Sequence, residues 1–419
     1  MIWFLWLAFF GGEDVQRPRP PIEWGGKFLG QGPTPKQWVL PTGAVWQPQF
    51  ILFGALRTDF SWFSANNGDV SALSTRLDLV GNLQLSGTER FVFSMRNLDE
   101  GGQFTRYVFS DPDGETGGRS EANAEVTSAF FEADLGEVFP ALNQSDRRAL
   151  DLGTAIGRMP LSFQDGMLIN DNVDAVGLVR NNVLPKRLSN LRITAVWAWD
   201  GVNRGSQDDG KLWGLFSSMD TRTSSWDVDL VHTDVDDSSR WVGGVSATQR
   251  IGANNTTFRL MGENNEASSE GFLAFASWSR APVGSHDHIY INGYKIWRGV
   301  VSAGRSPGAP GILAPVGIAF AGKGLGRAPS AISGGGEDSF GAACGRQWFF
   351  SHGKSQLVLE AAGRFASAKT EGISREQIAL VGRYQTSLGH RNVIRFDAYL
   401  NRLDGEFGSG ISSEWVLQL

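Results

Sequence analysis

The sequence predicts an all-β chain: a transmembrane antiparallel β-barrel of the bacterial outer-membrane type, with about 18 strands in a range of roughly 16 to 20. Three observations carry that expectation. Apolar and polar residues alternate with a period of two in run after run along the chain. The composition is rich in Gly (53), Phe (27) and Trp (15), yet only 41% of residues are hydrophobic, as expected when only every second strand residue meets lipid. No apolar run reaches the length of about 18 residues that a membrane-spanning helix needs.

Taken from the start, residues 1–12 are read as an export signal. Met1 to Phe10 (MIWFLWLAFF) form an apolar stretch broken at once by Gly11 and Gly12, although the Lys or Arg that opens such a signal is missing. Residues 13–45 contain Pro18, Pro20, Pro21, Pro33, Pro35 and Pro41, which makes them a lead-in rather than a domain. Residues 46–419 are assigned to a single barrel.

Within it, Leu77, Leu79, Leu83 and Leu85 alternate with Arg76, Asp78, Asn82 and Gln84. After Ser86-Gly87-Thr88 the pattern resumes, with Phe91, Phe93 and Met95 against Arg90, Ser94 and Arg96, so the two runs read as a hairpin. Ala129, Phe131, Ala133 and Leu135 alternate with Glu132 and Asp134, and Leu191, Ile193, Ala195, Trp197 and Trp199 with Arg192 and Thr194. Trp226, Val228 and Leu230 flank Asp227 and Asp229; Phe258 and Leu260 flank Arg259. Leu357, Leu359 and Phe365 oppose Glu360 and Arg364; Ile378, Leu380 and Tyr384 oppose Arg383; Ile394, Phe396 and Leu400 oppose Arg395 and Asp397. A last strand ends the chain at Trp415 to Leu419.

Short turns (Ser86-Gly87, Leu388-Gly389-His390) and long connections (Asp111 to Gly114, Gly201 to Gly210, Gly304 to Asp338) are both present. Outer-membrane barrels segregate these two lengths to opposite ends. The stretch from Gly304 to Asp338 is read as an external loop folded into the pore, or as one that hides a weak strand near Gly317 to Ala321. Trp197, Trp199, Trp226, Trp241, Trp278, Trp297, Trp348 and Trp415 fall near strand ends, where interfacial aromatic girdles lie. No repeat of roughly 40–50 residues occurs, which sets a propeller aside.

Residues 152–180 read LGTAIGRMPLSFQDGMLINDNVDAVGLVR. Gly157-Arg158, then Ser162-Phe163-Gln164-Asp165-Gly166, Leu168-Ile169 and Val173-Asp174-Ala175-Val176 resemble a stretch found between two barrel strands in the alginate-export family of outer-membrane porins. The resemblance implies a porin barrel and an oligomeric anionic solute. This chain has Met159 and Met167 where that family has Gln and Arg, and it ends in Leu419 rather than Phe. Turn chemistry alone accounts for Asp165-Gly166.

No enzymatic constellation stands out. His286-Asp287-His288 is read as a solvated loop, Asp111 to Glu115 as a turn, and Gly322 to Gly326 lacks the ending of a phosphate loop. Cys344 is the sole cysteine, and no cofactor is expected. A formal charge of −6 argues against a nucleic-acid partner.

If the apolar parity faces lipid, the other parity lines the lumen. That assigns to the pore Arg76, Asp78, Arg90, Arg96, Glu132, Asp134, Arg192, Asp227, Asp229, Arg259, Glu360, Arg364, Arg383, Arg395 and Asp397. Of 38 basic residues, 30 are Arg, whose planar fork suits carboxylates and phosphates. Arg364, Arg383 and Arg395, on three successive strands, are expected to form a ladder. The role predicted is a channel for diffusion or export of small or oligomeric hydrophilic solutes, with anions a leading class. The rival is a plugged barrel with an enzymatic, structural or adhesive role. Expected partners are outer-membrane lipid, the solutes and the barrel-assembly machinery.

Overall fold

The computed structural model describes residues 19–25, 37–65, 68–100, 103–112, 114, 116–142, 151–183, 188–202, 210–235, 238–265, 270–282, 284–322, 325–326, 328–334, 338–367 and 374–419. The signal expectation for residues 1–12 lies outside them. In the lead-in, Ile22–Trp24 pairs with the first barrel strand, and Trp38–Val39 pairs with Val45–Trp46.

Eighteen strands form one closed antiparallel barrel. They are β1 Gln49–Ala65, β2 Gly68–Gln84, β3 Arg90–Asn97 continued by Gln103–Ser110, and β4 Gly117–Arg119 continued by Glu125–Asp134. Then follow β5 Gly153–Phe163, β6 Ile169–Arg180, β7 Asn190–Asp200, β8 Lys211–Asp220, β9 Ser224–Val235 and β10 Ser238–Ile251. The second half holds β11 Asn254–Asn265, β12 Gly271–Arg280, β13 His288–Trp297 and β14 Ser339–Phe350. It ends with β15 Ser355–Ala366, β16 Glu376–Leu388, β17 Asn392–Leu403 and β18 Glu406–Gln418. Each strand pairs with the next, and β18 returns to β1 from Gly410 opposite Phe63 to Gln418 opposite Ala55. No edge is left between first and last, which lipid would leave unsatisfied.

Residues paired across neighbouring strands share a face. Leu79 pairs with Met95, Leu83 with Phe91, and Leu380 with Leu400. Large side chains on this face, such as Leu230, Phe258, Ile291, Leu359, Leu380, Leu400 and Ile411, are exposed, whereas Ser74, Thr194, Asp229, Arg259, Glu360 and Glu414 on the other face are buried. That arrangement inverts a soluble protein and suits a wall with lipid outside. Trp197, Trp199, Trp213, Trp241 and Trp297 lie towards one end of the barrel, and Trp226, Trp278, Trp348 and Trp415 towards the other. The two groups bracket the apolar band as interfacial girdles do.

The turns at residues 86–88 and 388–390 lie at the end where β1 begins and β18 finishes, called the terminus end below. The long connections beginning at Asp111, Gly201 and Arg298 lie at the opposite, loop end. The connection from Leu135 to Leu152 is an exception, long but at the terminus end. Its start corrects the reading of Leu135 as a strand residue. Asp134 Oδ1 accepts from Gly136 N at 2.8 Å, capping a single helical turn, Leu135–Val138. No strand forms at Gly317 to Ala321; the described part of this segment holds only the two-residue strand Gly304–Arg305 and a 3₁₀ turn at Ala314–Val316.

Two substitutions test this wall. Arg at Leu359, on the exposed apolar face, is expected to destabilise the folded barrel by about 2–4 kcal/mol, measured by urea titration in lipid vesicles. Deleting Trp415 to Leu419 strips the partners from Ala55 to Thr58. The truncated chain is expected to lose heat-modifiable mobility on gels, since an open edge cannot persist in hydrocarbon.

Candidate functional site

The hollow inside the wall is narrowed by two inward segments. The first joins β5 to β6. Gln164, Asp165 and Gly166 all take positive φ (55°, 54° and 76°), and the turn they make lies inside the barrel. Met167, Leu168 and Ile169 are fully buried as a result. Arg259, on β11, holds this turn: its guanidinium donates to Gln164 Oε1 at 2.9 Å and Asp165 Oδ2 at 2.6 Å, and lies 3.1 Å from Met167 Sδ. Gln164 in turn donates to Asp229 Oδ2 on β9 at 2.7 Å. Phe163 stacks on Phe216 of β8 with ring centroids 3.5 Å apart.

The second segment is the connection between β13 and β14. Gly304 and Arg305 add a parallel strand to Ile169 and Asn170, Ala303 N donates to Leu168 O, and Arg305 donates to Gly166 O at 2.9 Å. The two segments are thus stitched together. The connection then crosses to the far wall, where Glu360 of β15 anchors it. Its carboxylate accepts from Tyr290 Oη (2.5 Å), Ile318 N (3.0 Å) and Ala319 N (2.8 Å). Asn292 donates to Val316 O, Gln377 exchanges hydrogen bonds with the Ser333 backbone, and Asn401 donates to Ala331 O.

Beside these segments a cavity of about 1080 Å³ opens towards the terminus end. Seven of the residues assigned from sequence line it: Arg90, Glu132, Asp134, Arg192, Asp227, Asp229 and Arg259. Arg90 pairs with Glu132, and Asp227 accepts from Ser246 Oγ at 3.1 Å. The Arg192 side chain makes no hydrogen bond or ion pair among the described residues. Glu89, in the turn before β3, also lines the cavity, and burial pushes its carboxyl above the usual range.

Six more form a ribbon of mixed charge on the opposite side. Arg383 bonds Asp397 at 2.7 Å, and Arg395 contacts both Asp397 (3.4 Å) and Glu414. Arg57 meets Glu414 at 2.5 Å and is paired across strands with Arg76. Arg76 bonds Asp78 at 2.9 Å, and Arg96 lies 3.5 Å from Asp78 and 3.4 Å from Asp99. The ribbon therefore runs from β16 through β17, β18, β1 and β2 to β3.

The last two residues, Glu360 and Arg364, lie under the inward loop rather than on an open wall. This corrects the expected ladder. Arg383 stands opposite Val358, six residues along β15 from Arg364, while Arg364 itself stands opposite Gln377 and donates to Ser374 O. Arg57 and Glu414 take its place, and neither was assigned from sequence. The signal for Arg57 was weak: only Leu56 of its two neighbours is apolar, whereas Ile394 and Phe396 both flank Arg395.

No family model matches the chain, and no curated protein does either. Solved structures do. A BenF-like porin from Pseudomonas fluorescens Pf-5 superposes with a TM-score of 0.59 at 10% identity, over 88% of this chain and 99% of that one. Pseudomonas aeruginosa OccK2 (OpdF) gives 0.56 at 11% identity over 88% and 98%. Pseudomonas aeruginosa OpdK with vanillate gives 0.54 at 12% over 88% and 98%. The chain therefore has the porin fold, which agrees with the porin resemblance carried by residues 152–180.

Removing the Glu360 anchor tests the inward loop. Glu360→Ala deletes the acceptor for two backbone amides and a phenol, each such charge-assisted bond contributing about 1.5–3 kcal/mol. Single-channel recordings are expected to show higher, noisier conductance than the wild type, with heat-modifiable mobility retained.

Proposed function

We propose that this protein is a channel of the bacterial outer membrane through which small hydrophilic solutes diffuse. The cavity of about 1080 Å³, lined by charged and hydroxyl groups together with apolar side chains and lying beside the inward segments rather than filled by them, is the observation that supports it best. A barrel of about eight strands would be filled by its own side chains; this one has more than twice that number. A plugged barrel would need the two inward segments to occupy the whole cross-section.

The narrower resemblance to alginate-export porins would make the solute a polyuronate. Both departures from that family's stretch fall inside the barrel, where Met159 and Met167 are buried. Apolar thioethers replace an amide and a guanidinium there, so polar contacts to an oligomeric anion are lost. Single small solutes are the better reading. Among the described residues no group of three or more His, Cys, Asp and Glu is placed to hold a metal ion.

The purified protein is expected to give discrete conductance steps in planar bilayers and to migrate anomalously on gels until boiled. Absence of steps from protein that shows the mobility shift would favour the plugged barrel.

A further inference from the structure

On the lipid-facing side, the aromatic girdle at the loop end is interrupted. Trp197, Trp213, His232 and Trp241 stand opposite one another in a row across β7 to β10, and Phe272 stands opposite Trp297 on β12 and β13. Between these two groups the outward row reads Leu230, Gly243, Gly262, Phe272. The result is a groove of about 760 Å³, with the two glycines as its floor and Leu230, Trp241, Phe272 and Trp297 among its walls. Small-molecule sites span roughly 300–1,000 Å³, so this groove is of that size.

Neither glycine is required by the backbone. Neither takes a positive φ. A Cβ added to Gly243 or Gly262 would meet its nearest atom at 3.5 Å or 3.8 Å, an ordinary van der Waals contact. Glycine weakens a strand interior, and one cause of its presence there is the close approach of a ligand. What this pair maintains is the open space.

A cation stands beside the groove. Lys295 has the outward parity of β13, opposite Ala274 and Phe340 and two residues further into the strand than Trp297. Its ammonium lies 5.9 Å from the ring centre of Trp297 and 5.5 Å from that of Phe340. It makes no hydrogen bond or ion pair among the described residues. An ammonium on the lipid face is costly unless it reaches the headgroup layer, where anionic groups attract it. The two rings compensate the charge in part and leave its three N–H donors unused. Glu270, Arg298 and Asp338 line the opposite, loop-side rim, where Asp338 Oδ1 accepts from Arg298 N at 2.7 Å. The carboxylates of that rim suit hydroxyl or amide donors rather than a phosphate.

We propose that this groove holds a phosphorylated glycolipid of the outer leaflet. Long connections of outer-membrane barrels face the cell exterior, so the loop end lies in the leaflet built of such lipids. A sugar ring rests on the glycine floor between Trp241 and Trp297, with its hydroxyls towards Glu270 and Asp338. Its phosphate meets Lys295, and its acyl chains descend over the next outward row, Val245, Leu260 and Ala274. A glycerophospholipid offers the phosphate without the ring. The site is on the outside of the wall and does not depend on the channel reading.

Native mass spectrometry of the full chain in detergent, titrated with defined lipids, tests the proposal. The probes are diphosphoryl lipid A, lipid A stripped of both phosphates, and phosphatidylglycerol. The wild type is expected to retain diphosphoryl lipid A about tenfold more tightly than either of the others, the advantage of a charge-assisted hydrogen bond. Lys295→Gln is expected to abolish the advantage over stripped lipid A, and Lys295→Arg to keep it. Gly262→Leu fills the floor and is expected to weaken both forms of lipid A while leaving phosphatidylglycerol unchanged. Arg402→Gln serves as control, since Arg402 is a second outward cation, stacked over Phe407 on β18 and away from the groove; it is expected to change nothing. Heat-modifiable mobility screens each variant for folding, and Gly243→Leu replaces Gly262→Leu if that variant fails. Equal retention of the three lipids by the wild type overturns the proposal. So does unchanged lipid A retention in folded Lys295→Gln or in the folded glycine variant, or an equal fall in Arg402→Gln.

Discussion

A backbone crossing hydrocarbon has no water to satisfy its N–H and C=O groups, and the rest of this structure depends on how that constraint is met. Here it is met by the return of β18 to β1, nine residue pairs in continuous antiparallel register. Once the ring is closed, every strand must present one face to lipid and one to the interior. Charge can then be placed only on the inner parity in the band between the tryptophan girdles. The exposed leucines and the buried arginines are two consequences of one topological fact.

Closure at 18 strands also creates a problem, because the interior is too wide for wall side chains to fill. The chain answers with backbone. Gln164 and Asp165 accept left-handed conformations that cost of order 1–3 kcal/mol each. Arg259 offsets this with two hydrogen bonds, one to the Asp165 carboxylate, each contributing about 1–3 kcal/mol. The longer connection between β13 and β14 then adds to the first segment as a strand before crossing to Glu360. Buried polar side chains on the wall, which sequence alone offers equally to a solute or to the protein, are divided by this crossing. Glu360, Gln377 and Asn401 are used by the loop; Asp227, Arg192 and Glu132 are left to the cavity.

The period of two made the face of each strand residue legible, because parity survives any uncertainty about where a strand starts. Height along the barrel was not legible. Neighbouring strands run in opposite directions, so Arg364 and Arg383 sit on the same face of adjacent strands yet lie six residues apart in register. Only the turn between them fixes that offset, and residues 367–375 show no turn signal that sets a length. Arg57 was missed for a related reason: the run Phe50 to Leu56 is apolar on both parities at first, which hides the alternation until Arg57 and Asp59. The Asp165-Gly166 turn was legible as a turn. Its inward direction was not, since that depends on Arg259, 93 residues away from Gly166.

The preference for arginine over lysine follows from the ribbon's construction. Arg395 bridges carboxylates on two strands, β17 and β18, and Arg96 bridges Asp78 of β2 and Asp99 beyond its own strand segment. A planar fork with five donors can bind acids on both sides and still leave donors free, whereas an ammonium group concentrates its charge at one point on a flexible stem. On β16 to β1 the buried acids Asp397 and Glu414 hold the more open guanidinium groups of Arg383, Arg395 and Arg57, so their remaining donors face the lumen without first having to be ordered. The ion pairs that brace the seam between β17, β18 and β1 thereby also fix the surface that faces the lumen. Bracing the wall and lining the lumen are not competing readings of these arginines, because the first supplies the geometry on which the second rests.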